Sequence, residues 1–323
     1  MKTNHTLRYL DDGSIELYEQ EMPPPGPGEV QVEGGYCGIC SWDIATAKYG
    51  KDAPVMAPPG HEGMATITVV GEGVTQYQPG QKIACGDKSA APHAGAFSTC
   101  RNIKVEDVYP LPEVSFPDQE WLVEPVSCVV TGLDHSKIKV ADKVIVLGCG
   151  FMGLLFLQGL KKSVATEIIA LDISENRLAK AQELGISETH LLGTADQESL
   201  IKALYERSID LVIDTTGVAQ GFDTACQIVK INGLVNHFGW VKSTHSTVDL
   251  SQIHFKGIQI CSTPPAAQIR DPFPPAIEAI KHGIFELEPL ITDCVSLSEY
   301  PALMKRILAG DTNYIKGVVK LEV

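Results

Sequence analysis

The chain has no uninterrupted apolar run long enough to cross a bilayer. Its longest apolar stretch, Val144 to Leu160, is broken by Gly148, Gly150, Gly153 and Gly159 and falls short of the roughly 20 residues a spanning helix needs. It reads instead as a buried strand followed by a buried helix. The opening MKTNHTLRYLDDG is polar and has no apolar core of a signal peptide. Positive charge is scarce: 26 Lys and Arg stand against 40 Asp and Glu, a formal net charge of -14. That balance argues against nucleic acid, whose phosphates demand a basic face, and no polybasic cluster offers itself to a membrane surface. There is no internal repeat and no low-complexity tract. A disulfide framework is missing too, because the nine cysteines are odd in number and irregularly spaced. Reduced thiols in the cytoplasm are the expectation, with metal binding or core packing as the role of each. The expected partners are small molecules or another copy of the chain.

What is present suits a two-domain globular enzyme. The 323 residues are 44% apolar and 20% charged, enough for a core in each half. Residues 1 to about 120 are rich in Gly and Pro and carry short alternating runs, Glu29–Val32 and Ala65–Val70, between turn signals such as PPPGPGE and QPGQ. These predict a mainly β domain. Farther on, strand-like runs recur at Val144–Leu147, Ile168–Leu171, Leu211–Ile213, Leu234–Phe238 and Ile258–Cys261. Helix-period segments lie between them (ENRLAKAQELG, ESLIKALYER, QGFDTACQIVKING), with Gly185 and Gly233 where helix C-caps fall. Strands apolar on both faces, alternating with helices, predict a doubly wound parallel sheet, an α/β fold. The expected division is a catalytic domain over 1–125, a nucleotide-binding domain over 126–262, and a return segment over 263–323 that completes the first.

Val144–Leu147 runs directly into Gly148-Cys149-Gly150-Phe151-Met152-Gly153 and an apolar helix, and Asp172 closes the next strand-like run. This is the full context of a dinucleotide fingerprint. Gly148 makes the tight turn, Gly150 admits the pyrophosphate to the backbone, and Gly153 packs the helix against the strand. The helix N-terminus offers free N–H groups to the phosphates. Asp172 would accept the adenosine ribose hydroxyls and repel a 2′-phosphate, which favours NAD over NADP; nearby Arg177 weakens that preference.

A second constellation is spread along the first domain: Gly38-Ile39-Cys40-Ser41-Trp42-Asp43, then Gly60-His61-Glu62-Gly63, then Glu124-Pro125. Singly, each is ordinary. Cys37 or Cys40 could be a small buried hydrophobe, His61 a satisfied loop histidine, Glu124 a solvated charge. Together they offer the cysteine, histidine and carboxylate ligands of a catalytic zinc with an open position.

In order along the chain, GICxxD, GHEG, EP, GxGxxG and an acidic strand end resemble the zinc-dependent medium-chain dehydrogenases. The resemblance implies a Rossmann domain beside a GroES-like catalytic domain, one catalytic zinc, NAD, and hydride transfer to and from an alcohol carbon. It implies Cys40 and His61 as metal ligands and either Glu62 or Glu124 as the third; the set expected here is Cys40, His61 and Glu124, with Glu62 close by and exchanging. Glu124 resembles the polyol and sugar branch, and Trp42 could stack on a sugar or cyclitol ring or pack as filler. Thr216, Gly217 and Gly239 fall where such a fold lines its cofactor. Lys316 resembles a position that can reach the cofactor phosphate, but by itself reads as a solvated lysine. Cys128, Cys149, Cys226, Cys261 and Cys294 read as core packing. The family's structural zinc lobe has four close cysteines; only Cys85 and Cys100 occur here, so no structural zinc is expected. Trp42 and Ala45 occupy the usual serine or threonine and histidine positions of the proton relay, leaving Ser41, Glu62 and His93 as candidates. With that relay lost, reduction of an activated double bond or a non-redox rearrangement is the competing chemistry. A non-enzymatic NAD-binding protein is disfavoured by the retained ligand segments. The family's habit implies a homodimer or homotetramer.

Overall fold

The computed structural model describes residues 2–53, 58–85, 95–113, 116–242, 245–264 and 268–322. The chain forms two compact units, Met1–Pro125 with Phe273–Val323, and Val126–Pro272.

The first unit opens with a hairpin of β1 (Lys2–Tyr9) and β2 (Ile15–Met22). There follow β3 (Glu29–Gly38), α1 (Ser41–Tyr49), β4 (Glu62–Val70), β5 (Lys82–Cys85), β6 (Cys100–Lys104) and β7 (Val108–Pro110). The chain passes into the second unit within α2 (Val123–Ser136). There β8 (Lys143–Leu147), α3 (Phe151–Lys161), β9 (Glu167–Asp172), α4 (Glu175–Glu183) and β10 (Glu188–Leu191) alternate. The alternation continues through α5 (Gln197–Glu206), β11 (Ile209–Asp214), α6 (Ala219–Ile228), β12 (Val229–His237), α7 (Leu250–Lys256) and β13 (Gln259–Ser262). Back in the first unit come α8 (Phe273–Lys281), β14 (Ile291–Ser296), α9 (Tyr300–Leu308) and β15 (Lys316–Lys320).

In the second unit six parallel strands take the order β10-β9-β8-β11-β12-β13, the doubly wound arrangement of dinucleotide-binding folds. Ile145, Leu147, Ile169, Leu171, Val212 and Val235 form its core because both faces of each central strand are covered. Gly185, at φ +86°, does end α4. Gly233 does not end a helix: α6 stops at Ile228, and the β-branched run after it extends β12 back to Val229, so Gly233 lies inside the strand. Tertiary pairing with β11 overrides the helical period there.

The first unit's seven-stranded sheet runs β14-β15-β3-β4-β5-β7, with β6 also paired to β3. The chain's last strand thus lies against β3, next to the strands that lead to the metal-ligand segments. Two apolar clusters support it. Val30, Val32, Ile67 and Ile83 make one, and Leu7, Cys37, Phe97, Tyr300, Met304 and Val319 the other. Cys149 and Cys226 are buried as core residues, but Cys128 and Cys261 are half-buried and Cys294 is exposed on β14, which corrects the packing role expected of all five. Among the described residues no helix is long and apolar enough to cross a membrane.

Candidate metal centre and cofactor site

β3 ends at Gly38 and delivers Cys40 as the N-cap of α1, in extended backbone. Cys-Ser-Trp-Asp is a capping box with cysteine as the cap: the Asp43 carboxylate reaches back to accept the Cys40 N–H at 2.9 Å. The other oxygen of Asp43 accepts the Gly60 N–H at 3.0 Å, and Gly60 precedes His61. One buried carboxylate therefore pins the backbone of both ligand segments. Tyr9 donates to it at 3.4 Å and lies 2.5 Å from the Tyr300 hydroxyl, tying the network to the N-terminal hairpin and to α9. Burial raises the Asp43 pKa, partly offset by His61 and the two N–H donors.

Cys40, His61 and Glu62 come together, with one ligand atom of each lying within 4.8 Å of the others. Cys40 and His61 are half-buried and Glu62 is buried. Burial disfavours the charged imidazole of His61, yet the Cys40 thiol, then Glu124 and Asp43, outweigh it and raise its pKa well above the usual value. The surroundings of His61 are thus built for positive charge. Its Nδ1 is buried with no hydrogen-bond partner among the described residues. A thiolate, an imidazole and a carboxylate with an orphaned ring nitrogen fit a zinc ion with one open position. Glu124, half-buried in the first turn of α2, is outside the close group but near enough to act on His61 electrostatically.

In the second unit Gly148 turns at φ +96°, and its N–H donates to the Leu171 carbonyl at 2.8 Å. A Cβ at Gly153 would land on the Gly148 carbonyl oxygen, so the α3 helix can approach its strand only as glycine. A Cβ at Gly150, the N-cap of α3, would meet nothing of the protein within 4 Å. The chain's own packing does not require glycine there, whereas a phosphate at the helix N-terminus does. Asp172 is 5% exposed and accepts the Cys149 N–H at 2.6 Å and the Ser174 N–H at 2.8 Å. It holds the loop in shape, and each oxygen keeps a lone pair for a ribose hydroxyl.

Residues 26–113 match the alcohol dehydrogenase GroES-like domain, and residues 152–282 match the zinc-binding dehydrogenase family. The chain is 28% identical to the (R,R)-butanediol dehydrogenase of Bacillus subtilis (strain 168), over 90% of this chain and 92% of that protein. It is 26% identical to the 2-dehydro-3-deoxy-L-galactonate 5-dehydrogenase of Pseudoalteromonas atlantica, over 97% of each. The solved structure of an alcohol dehydrogenase from Escherichia coli CFT073 complexed with NADH superposes with a TM-score of 0.86 at 22% identity, covering 98% of this chain and 99% of that one. The chain belongs to the zinc-dependent medium-chain dehydrogenases. It is an enzyme, an oxidoreductase of alcohols that works with zinc and a nicotinamide cofactor.

The remaining expected residues of this dehydrogenase take clear positions. Trp42 lies beside His61, ring centroids 5.4 Å apart and planes tilted by 46°. Ser41 is exposed, its hydroxyl 3.9 Å from the Cys40 sulfur; His93 lies outside the described residues. Cys37 is fully buried, which pushes its thiol pKa well up. Cys85 accepts a hydrogen bond from Arg101 at 2.9 Å. Phe151 is buried and Met152 half-buried in the first turn of α3, and Arg177 is exposed on α4. Thr216 donates its N–H and hydroxyl to the fully buried Asp214, whose carbonyl accepts the Gly239 N–H at 2.8 Å.

Lys316 corrects the sequence reading. It is not a solvated lysine: it is 3% exposed, ion-paired with Glu62, and donates to the Ile39 carbonyl at 2.9 Å. Burial opposes its ammonium, but Glu62, Cys40 and Glu124 outweigh that and raise its pKa. Asp43 and Lys316 take places beside the three grouped side chains that the sequence did not assign to them. For Asp43 a signal existed, the three-residue spacing of a capping box after Cys40. For Lys316 the resemblance pointed to the cofactor phosphate and not to Glu62, because only strand pairing brings the two together.

Proposed function

We propose that this enzyme oxidises a secondary hydroxyl of a polyol, sugar or related compound with NAD, on a single zinc held by Cys40, His61 and Glu62. The observation that carries the reading is the close grouping of those three ligands. Glu62 is the third ligand in this reading, and Glu124 contributes negative charge from just outside the group. Zinc supplies a Lewis acid toward a hydroxyl or carbonyl oxygen, and the nicotinamide supplies the hydride acceptor or donor.

The chain's own side chains do the rest. Asp43 fixes the two ligand segments in register. Trp42, half-buried beside His61, offers an aromatic face on which the apolar side of a sugar ring can stack. Ser41, the exposed hydroxyl next to Cys40, passes the substrate proton to water in place of the relay positions held by Trp42 and Ala45. Asp172 selects NAD by accepting ribose hydroxyls where a 2′-phosphate would be repelled. β13, the edge strand of its sheet among the described residues, offers one side of its backbone and Ile260, 45% exposed, to a second copy of the chain. The names of the relatives, which act on a butanediol and a sugar acid, support a substrate with several oxygens.

Zinc quantification on the purified protein, together with an NAD-linked screen of polyols, sugars and simple primary alcohols, tests this. Expected are one zinc per chain and NADH production from the polyhydroxy compounds. Oxidation of primary alcohols alone would overturn the substrate class, and a metal-free protein with full activity would overturn the site.

A further inference from the structure

We propose that Lys316 is a positioning residue of the metal centre, holding one oxygen of Glu62 so that this ligand meets the metal through the other oxygen only. The inference rests on the zinc reading above and deepens it.

The arrangement is built by three adjacent strands. Glu62 opens β4 opposite Gly38 at the end of β3, and Lys316 opens β15 on the other side of β3. The two side chains meet over Gly38, where a Cβ would collide with the Glu62 Oε2 and come within 2.9 Å of Lys316 Cε. Glycine is what leaves room for the pair. Both partners are 3% exposed, and Lys316 Nζ is also tied to the Ile39 carbonyl, one residue before Cys40. At that burial the ammonium is committed to protein partners.

A buried ion pair is a poor stabiliser of a fold, since an apolar pair of similar volume does as well or better. Its placement points to the site instead. A thiolate and a carboxylate already neutralise a divalent ion, with Glu124 close by. A second oxygen from Glu62 would add a donor, fill the open position and weaken the pull on substrate oxygen. The ammonium takes that oxygen out of play and removes one negative charge from the donor set. The metal is thereby held less tightly and remains a stronger Lewis acid.

The test compares full-length wild type with Lys316→Met and Lys316→Arg. Zinc affinity is read by chelator competition and coordination by the visible spectrum of the cobalt-substituted protein. With one positive charge gone from beside the metal, Lys316→Met is expected to hold zinc at least about tenfold more tightly, with the weaker cobalt absorption of a site that has gained a ligand. Lys316→Arg is expected to restore wild-type values. Zinc affinity in Lys316→Met equal to or below wild type, with an unchanged cobalt spectrum, would overturn the proposal. Should Lys316→Met fail to fold, Lys316→Gln carries the same comparison, because it keeps a polar side chain without the charge. A wild type that binds no zinc would instead remove the metal reading itself.

Discussion

Asp43 and the two glutamates show how finely this centre depends on single side chains. Asp43 accepts N–H groups from Cys40 and Gly60, so Asp43→Ala leaves two donors to find new partners. We expect zinc affinity to fall by about 10- to 100-fold, the usual cost of losing such a support, with the fold retained; a chelator titration followed by circular dichroism checks both. The sequence favoured Glu124 as the third member of the group with Glu62 close by, and the structure reverses them: Glu62 joins Cys40 and His61, and Glu124 stands outside the close group. Glu62→Gln should therefore lose most of its zinc, while Glu124→Gln keeps it and loses turnover by roughly tenfold or less through the altered field at His61. Equal zinc loss in the two variants would place Glu124 among the ligands. Cys40 and His61 were legible because their motifs each carry a ligand at a set position, whereas Glu62 against Glu124 is a distance, and distance between remote segments is not written in either.

At the scale of the element, the strand–turn–helix of β8 and α3 was readable in full. Its period, its glycines and its acidic partner are local in sequence or one strand away. Two glycines in it nonetheless answer to different demands, and this can be measured. Gly153→Ala puts a methyl group against the Gly148 carbonyl and should destabilise the second unit by about 1–3 kcal/mol, as overpacking does. Gly150→Ala meets open space and should change stability by no more than about 0.5 kcal/mol while raising KM for NAD. Thermal denaturation alongside cofactor titration separates the two effects. The end of α6 was not readable, because Val229-Lys230-Ile231 continues a helical period, yet Val229 pairs with Ile209 of β11 and the strand resumes its pairing at Leu234. β-Branched residues accept either conformation, and the neighbouring strand decides.

The whole molecule is organised by the interruption of its first unit. β15 lies against β3, and α9 supplies Tyr300, Leu303 and Met304 to the same core. A chain ending at Pro272 should lose order in the first unit and all zinc binding, while residues 126–272 keep theirs; limited proteolysis with and without NAD reads out the difference. The second unit has its own pH dependence. Arg207 holds the Glu188 carboxyl down from 4.5 to about 2, against the smaller effect of burial, and also pairs with Glu167 at 2.7 Å. A carboxylate lowered on folding stabilises above its unfolded value and loses that contribution as pH falls from 4.5 toward 2. Because Glu188 is 34% exposed, solvent screening limits the effect to roughly 1 kcal/mol. Glu188→Gln should lower Tm at pH 7 and match wild type near pH 2; a constant gap across that range would assign the loss to packing instead.

From the sequence alone came the nucleotide fold, the thiol and imidazole of the metal site, and the class of chemistry. The fold follows from periodic burial and from spacing within short segments, which is local information, while the ligands and the chemistry are what the resemblance of those segments to a known family implies. The tertiary structure brought Glu62 rather than Glu124 into the close group with Cys40 and His61, gave Asp43 its two backbone partners, and turned Lys316 from a surface residue into a buried partner of Glu62. Those outcomes follow from strands remote in sequence lying side by side, a few ångströms apart in a low-dielectric interior where one unpaired charge is costly.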